Sequence, residues 1–129
     1  MSIFKNIFGS SENKTPKESK VNWIHLTDLG QLNEVQEVSY TKATIIFKHS
    51  TTCSISRMAL KNFENEYELN DFVDAYFLDL LNQRDICSEI ATKFNVVHQS
   101  PQLLLIKNGE CVYNDSHDRI DAAVLRGKI

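Results

Sequence analysis

Apolar segments alternate along the chain with polar segments that are rich in charged residues and turn formers. Three short apolar runs have the length and composition of strands: residues 21–26, 43–47 and 75–81. Each is followed by a segment whose apolar residues recur every three to four positions, which predicts helices over residues 29–38, 53–66 and 86–94. The order β-α-β-α-β-α favours parallel strands joined by right-handed crossovers.

Residue types that are preferred at the N-cap position occur near the start of two of these helices. Thr27 or Asp28 is expected to cap the first helix, and Asn82 or Asp85 the third. The second helix is marked by five apolar residues at helical spacing: Ile55, Met58, Ala59, Leu60 and Phe63.

The C-terminal part of the chain has a different pattern, in which two short strand-like runs flank a turn. Residues 103–106 and 111–113 lie on either side of Asn108-Gly109, and this dipeptide favours a tight hairpin because both turn positions need a positive φ. A final helix is predicted over residues 117–125. It is expected to bury three apolar residues: Ile120, Val124 and Leu125. The chain is therefore predicted to form an α/β domain, with a central mixed sheet flanked by helices and a C-terminal antiparallel hairpin and final helix.

The N-terminal segment differs in composition from the rest of the chain. Residues 9–20 lack aliphatic and aromatic side chains and include Pro16, so they cannot bury enough apolar surface to offset the entropy of ordering them. We expect residues 1–20 to be a mobile tail and residues 21–129 to be the domain. Four apolar residues near the start fit one side of a short helix: Ile3, Phe4, Ile7 and Phe8. A frayed terminus is favoured over a membrane or partner anchor.

Composition and charge exclude several classes of function. The 129 residues include 14 basic and 17 acidic ones, mixed along the chain with a net charge of −3, which does not resemble a nucleic-acid-binding surface. No segment approaches the length of a membrane span, and Lys5 and Asn6 interrupt the apolar N-terminus, unlike a signal peptide. We therefore expect a cytoplasmic protein.

The cysteines and histidines do not have the spacing of a structural site. Three cysteines without a C-x-x-C pair predict neither a disulfide scaffold nor a zinc site. The histidines His25, His98 and His117 are too far apart in the sequence to predict a metal cluster, and we expect their side chains to be exposed to solvent. No metal cofactor is expected.

Cys53 is the strongest candidate for a reactive group. It follows a buried strand and begins a helix, where unpaired backbone N–H groups and the helix dipole stabilise a thiolate. The polar segment from His49 to Ser54 predicts exposure, which argues against the alternative of a small buried hydrophobe. Lys48 and His49 would add positive potential if their side chains turned toward the sulfur.

The other two cysteines are expected to contribute mainly to packing. Cys87 lies between Ile86 and Ile90 on an apolar helical face. Cys111 alternates with Tyr113 along a predicted strand, and it is the better candidate for a secondary thiol that resolves a Cys53 adduct.

The residues Thr52-Cys53-Ser54-Ile55-Ser56 resemble the C-x-x-C site of thioredoxins and glutaredoxins, with serine in place of the second cysteine. They resemble more closely the TCPIS motif of monothiol bacilliredoxins, the YtxJ family of bacillithiol-system proteins, with Ser54 in place of the proline. The similarity runs from about Val21 through residues 98–110 to the end of the chain. It implies a thioredoxin-like fold.

This resemblance implies a thiol-disulfide oxidoreductase that acts on S-thiolated client proteins. Cys53 would attack the mixed disulfide and accept the bacillithiol moiety, so bacillithiol would be the thiol co-substrate. Ser56 stands where a resolving thiol would be, and a hydroxyl cannot resolve a mixed disulfide. A second low-molecular-weight thiol, with a downstream reductase or another redoxin, would complete the cycle.

The resemblance also assigns a role to Ser100-Pro101. In thioredoxin-like proteins a proline at this position is cis and lies beside the active-site sulfur, and the backbone of the preceding residue pairs with substrate. We therefore expect a cis bond and a substrate-binding role for this pair, whereas an ordinary trans proline at a strand start is the alternative.

Two other functions are compatible with the sequence. One is a module like the monothiol glutaredoxins, in which a lone cysteine and a small thiol hold an iron-sulfur cluster between two subunits. The other is a thioredoxin-fold adaptor in which Cys53 has no catalytic role.

A chain that begins at Val21 is expected to fold and to keep its thiol reactivity, because residues 9–20 offer little surface for a core. Its melting temperature and its rate of Cys53 alkylation should match those of the full chain. A large fall in melting temperature would show instead that an apolar residue between Ile3 and Phe8 packs on the domain.

Overall fold

Five strands form one mixed sheet in the computed structural model of the protein, which describes residues 19–129. The strands are β1 (Trp23–His25), β2 (Ala43–His49), β3 (Val73–Asp79), β4 (Gln102–Lys107) and β5 (Glu110–Ser116). The α-helices are α1 (Gln31–Val38), α2 (Ser54–Glu66), α3 (Arg84–Lys93) and α4 (Ala122–Arg126). These elements confirm the predicted α/β class.

The sheet has the strand order β1-β3-β2-β4-β5. Strands β1 and β2 pair with β3 in parallel, whereas β4 is antiparallel to β2 and β5. Asn108 and Gly109 connect β4 to β5 with φ values of 54° and 81°, as the Asn-Gly signal predicts. The parallel core and the late hairpin are thus both confirmed.

Strand β2 lies in the middle of the sheet, and its side chains alternate between two apolar layers. Ile45 and Phe47 pack in the layer that includes residues of α2 and α4. Ile46 packs in the other layer, with residues of α1 and α3. Since side chains alternate along a strand, Lys48 follows Ile46 to the α3 side and His49 follows Phe47 to the α2 side.

The predicted N-caps of the first and third helices are wrong. Helix α1 begins at Gln31, and the side-chain oxygen of Gln31 accepts hydrogen bonds from the N–H groups of Thr27 and Asp28 at 2.7 and 3.0 Å. Helix α3 begins at Arg84, after Gln83. Asn82 instead donates its side-chain amide to the Asp79 carboxylate at 2.8 Å, which holds it in the turn after β3.

The predicted C-terminal helix is divided into two pieces. Residues His117–Arg119 form one 3₁₀ turn, and α4 starts after Asp121, whose carboxylate accepts a hydrogen bond from the Ala123 N–H. Ile120 and Leu125 are buried as predicted. The prediction for Val124 is wrong, because Val124 is exposed. The chain changes direction at Asp121, and Ala122 packs in the core instead of Val124.

Ser19 and Lys20, which precede the predicted start of the domain at Val21, already contact the domain. The Ser19 hydroxyl accepts from the Val21 N–H at 3.0 Å, and the Lys20 carbonyl accepts from the Asn70 side chain. A chain that begins at Ser19 keeps these contacts, so it is the matched control for one that begins at Val21. The segment from Ile3 to Phe8 lies outside the described residues. Between residues 19 and 129, none of the helices has the length and apolarity to cross a membrane.

Candidate active site

Cys53 is the N-cap residue of α2, at the junction that the sequence predicts. Its N–H donates to the Ser50 carbonyl at 3.2 Å, which closes the turn after β2, and its own carbonyl accepts from the Arg57 N–H at 3.0 Å. The residue is half-buried. The N-cap position places Cys53 at the end of α2 where the first backbone N–H groups lack partners within the helix.

Ser56 is completely buried and joins the three parts of this junction. Its hydroxyl oxygen accepts from the Ser50 N–H at 3.0 Å and lies 2.8 Å from Nδ1 of His49. Burial lowers the pKa of His49, so the imidazole is neutral at neutral pH and Nδ1 can accept the Ser56 proton. The Ser56 side chain thus ties the end of β2 and the following loop to the first turn of α2.

Sequence reasoning assigned Ser56 only as a replacement for a resolving thiol and missed this role. The signal available in the sequence was its position: three residues after the N-cap, and three before the buried Ala59. That spacing directs a helical side chain toward the core. A serine there needs partners for its hydroxyl.

Lys48 does not supply positive potential at Cys53, because it lies on the other face of the sheet, and burial lowers the pKa of His49 so that its imidazole is neutral. Lys48 lies on the α3 side of the sheet, with Nζ 3.0 Å from Nδ1 of His98, and His49 contacts Ser56. Arg57, which the sequence analysis missed, donates from its guanidinium to the Thr51 carbonyl at 3.0 Å. It brings a positive charge to the loop that precedes Cys53.

The Ser100-Pro101 bond is cis, which confirms that expectation. Pro101 is buried and directly precedes Gln102, which pairs with Lys48 at the end of β2. The Gln102 side chain fixes the preceding loop, since its amide donates to the Val97 carbonyl at 3.0 Å. The proline therefore lies beside the strand end that leads to Cys53. Contact of Ser100 and Pro101 with a substrate remains a prediction.

A cleft of about 500 Å³ runs along the start of α2. Thr52, Ser54 and Ile55 are exposed beside Cys53. The cleft is lined by Ser54, Ile55, Met58, Ala59, Asn62, His117, Asp118 and Ile120. Ile55 and Met58, which marked the helix in the sequence, are 55% and 66% exposed and face this cleft instead of the core. The candidate nucleophile is thus next to an open, partly apolar surface.

The other two cysteines lie on the opposite side of the sheet from α2. Cys87 is buried in the layer formed by α1 and α3, as predicted, and Cys111 packs against that layer from β5. Burial raises the pKa of both thiols. The described contacts do not join either of them to Cys53, so a resolving role for Cys111 remains a prediction.

His25, His98 and His117 are all exposed, as expected. The Nδ1 atom of His98 also contacts Lys48 and the Cys87 sulfur, which the sequence did not predict. In the described part of the chain, no group of three or more His, Cys, Asp and Glu side chains has an arrangement that could hold a metal ion.

Comparison with known proteins gives a family match over most of the chain. Residues 24–125 match the family described as monothiol bacilliredoxin BrxC. A solved structure described as a candidate oxidoreductase with a thioredoxin fold is 36% identical, with a TM-score of 0.71, and the match covers 81% of this chain and 91% of that one.

More distant structures support the fold alone. Thioredoxin from Malassezia sympodialis is 20% identical with a TM-score of 0.64, over 89% of this chain and 92% of that one. Thioredoxin from Schistosoma mansoni is 23% identical with a TM-score of 0.60, over 87% and 96%. The predicted thioredoxin-like fold is therefore confirmed.

Cys53 is expected to be the thiol that iodoacetamide labels fastest in the native protein. It lies half-buried at a helix N-terminus, whereas burial raises the pKa of Cys87 and Cys111. Limited labelling followed by peptide mapping measures the order. Faster labelling of either other cysteine would refute Cys53 as the candidate nucleophile.

Ser56→Ala is expected to lower the free energy of unfolding by about 1–3 kcal/mol, because it leaves the buried Ser50 N–H without its acceptor. Urea denaturation measures the change. The control is Ser54→Ala at an exposed position of the same helical turn, for which a change within about 0.5 kcal/mol is expected. Equal effects of the two substitutions would mean that the Ser56 hydrogen bonds do not stabilise the junction.

Proposed function

Since the chain belongs to the monothiol bacilliredoxin BrxC family, we propose that it removes bacillithiol from protein mixed disulfides, with Cys53 as the nucleophile. The family and the 36% identical thioredoxin-fold neighbour establish the coarser activity, that of a thiol oxidoreductase. The observation that carries the finer proposal is the position of Cys53 at the N-terminus of α2, with a buried serine at position 56.

In the first step the Cys53 thiolate attacks the bacillithiol sulfur of the mixed disulfide. A disulfide forms between Cys53 and bacillithiol, the bond to the client cysteine breaks, and the client thiolate leaves and takes up a proton. The N–H groups at the start of α2 stabilise the Cys53 thiolate before attack. This step needs one thiol only.

The second step needs a thiol from outside the active-site motif, because Ser56 carries no sulfur. A second bacillithiol attacks the Cys53 adduct, which releases Cys53 and forms a symmetrical bacillithiol disulfide. A downstream reductase or another redoxin then reduces that disulfide. These partners are available where thiols are kept reduced, so the proposed compartment is the cytoplasm. Cys87 and Cys111 are less suitable donors, since they pack on the far side of the sheet from α2.

The client is proposed to lie across the surface around Cys53. The cleft beside α2 offers Ile55 and Met58 as exposed apolar contacts for a client segment. The backbone of Ser100 is also proposed to pair with an extended client chain, as the resemblance to thioredoxin-like proteins implies for the residue before this proline. Pro101 directly precedes the residue that pairs with Lys48 near the end of β2, and the cleft begins at Ser54, next to Cys53.

Cys53→Ser is expected to abolish removal of bacillithiol from a bacillithiolated client, because the first exchange loses its only thiolate. Ser56→Ala should retain most of this step, whereas the Ser56→Cys variant should form a disulfide with Cys53 one helical turn away. Intact mass spectrometry of client and protein measures all three results.

Wild-type protein without added thiol should accumulate as an adduct of one chain and one bacillithiol at Cys53, and Cys87→Ser should behave in the same way. Turnover by the wild type without any added thiol would overturn the monothiol mechanism. So would a disulfide from Cys53 to Cys87 or Cys111.

A further inference from the structure

A second group of reactive side chains lies on the α3 side of the sheet. The Cys87 sulfur is 3.1 Å from Nδ1 of His98, and Nζ of Lys48 is 3.0 Å from the same nitrogen. The Lys48 side chain is completely buried, and its described hydrogen bond is to His98. Three separate segments, β2, α3 and the loop before β4, thus bring a thiol, an imidazole and an amine together.

Cys87 and His98 border a cleft of about 460 Å³, a volume that suits a small molecule. Its lining residues are Leu80, Leu81, Arg84, Cys87, Ser88, Ala91 and His98. Arg84 is exposed on the first turn of α3, and the lining includes no carboxylate. The cleft therefore combines apolar walls with a positive charge, which favours a small anionic ligand.

We propose that Cys87 is a second thiol-exchange site, which reacts with small anionic disulfides that enter this cleft. The site uses neither Cys53 nor the surface around α2. It therefore goes beyond the proposed function, and each can fail without the other.

The Lys48-His98 pair provides what a buried thiol needs in order to react. Burial raises the pKa of Cys87, so the resting thiol holds its proton, while the charge of Lys48 acts in the opposite direction. Burial and Lys48 together lower the pKa of His98, so its imidazole is neutral. The neutral Nδ1 atom of His98 has a single lone pair, and both the Lys48 amine and the Cys87 thiol donate toward it. Cys87 gives up its proton through the exposed His98 imidazole to water, and the charge of Lys48 remains beside the thiolate.

The exchange needs no further redox partner. The Cys87 thiolate attacks one sulfur of the small disulfide, a new bond joins Cys87 to that half, and the bond within the small disulfide breaks. The leaving thiolate keeps the electron pair and takes a proton from water. Cys87 is oxidised to a mixed disulfide and the leaving half is reduced to a thiol. Arg84 would bind the negative charge of the small molecule.

Cys111 provides an internal comparison for Cys87. It is half-buried whereas Cys87 is buried, its S–H donates to the Tyr113 carbonyl at 3.4 Å, and it does not line the cleft. A reaction that depends only on a free cysteine would modify both thiols at similar rates. The proposed site modifies Cys87 first.

The test uses the full chain with Cys53→Ser, so that the candidate nucleophile of the proposed function is absent. The probes are two aliphatic disulfides of opposite charge, the dianion 3,3′-dithiodipropionate and the dication cystamine. Each rate is divided by the rate of the same probe with 2-mercaptoethanol, and peptide mapping locates the adduct. The adduct should form on Cys87 first, and the normalised rate should be about tenfold higher for the dianion.

Three further substitutions in this background separate the contributions. His98→Ala should slow both probes at Cys87 by at least about tenfold, since it removes the proton-accepting imidazole. Arg84→Ala should slow the dianion alone, by about threefold to tenfold. The control Arg126→Ala, at an exposed arginine of α4, should change neither rate.

Modification of Cys111 at the same rate as Cys87 would overturn the proposal. So would a normalised rate that is no higher for the dianion than for the dication, or a His98→Ala rate equal to that of its parent. The charge comparison needs no substitution near the cleft, so it holds even if one of the variants misfolds. Failure of bacillithiol removal by wild-type protein would leave these results unaffected.

Discussion

The alternation of side chains along the buried strand β2 determines where the chemistry of this protein lies. The strand is enclosed by helices on both faces, so each residue near its end must point into one layer or the other. His49 enters the α2 layer and meets Ser56, whereas Lys48 enters the α3 layer and meets His98. Two polar groups that are adjacent in sequence thereby serve opposite faces of one sheet.

The Ser56 side chain holds the loop before Cys53 in place without adding a second thiol to the motif. A hydroxyl at this position cannot resolve an adduct, but it can accept from the Ser50 N–H and contact His49 at the same time. The buried end of the loop is thus hydrogen-bonded while Cys53 remains the one thiol of the motif. The serine holds the loop that precedes Cys53, and in the proposed mechanism the second step falls to an external thiol.

The features that could be predicted from the sequence are those that depend on neighbouring residues. Strand and helix order follow from apolar periodicity, and the hairpin follows from the positive φ of Asn108 and Gly109. The position of Cys53 at a helix N-terminus follows in the same way. The partners of Lys48 could not be predicted, since His98 is 50 residues away and is brought to it by tertiary packing. The exposure of Val124 was missed because the periodicity gave no sign of the turn at Asp121.

The loop before β4 has a consequence for the separation of the two sites. Gln102 fixes this loop by its hydrogen bond to the Val97 carbonyl. The loop places His98 next to Cys87, and it places Pro101 near the end of β2. One short segment is therefore shared by the two proposed thiol sites. A substitution of Gln102 is expected to disturb the positions of His98 and Pro101 together, because its side chain fixes the loop that carries them. Independent adaptation of either site has to proceed through residues outside this segment, such as Arg57 on one face and Arg84 on the other.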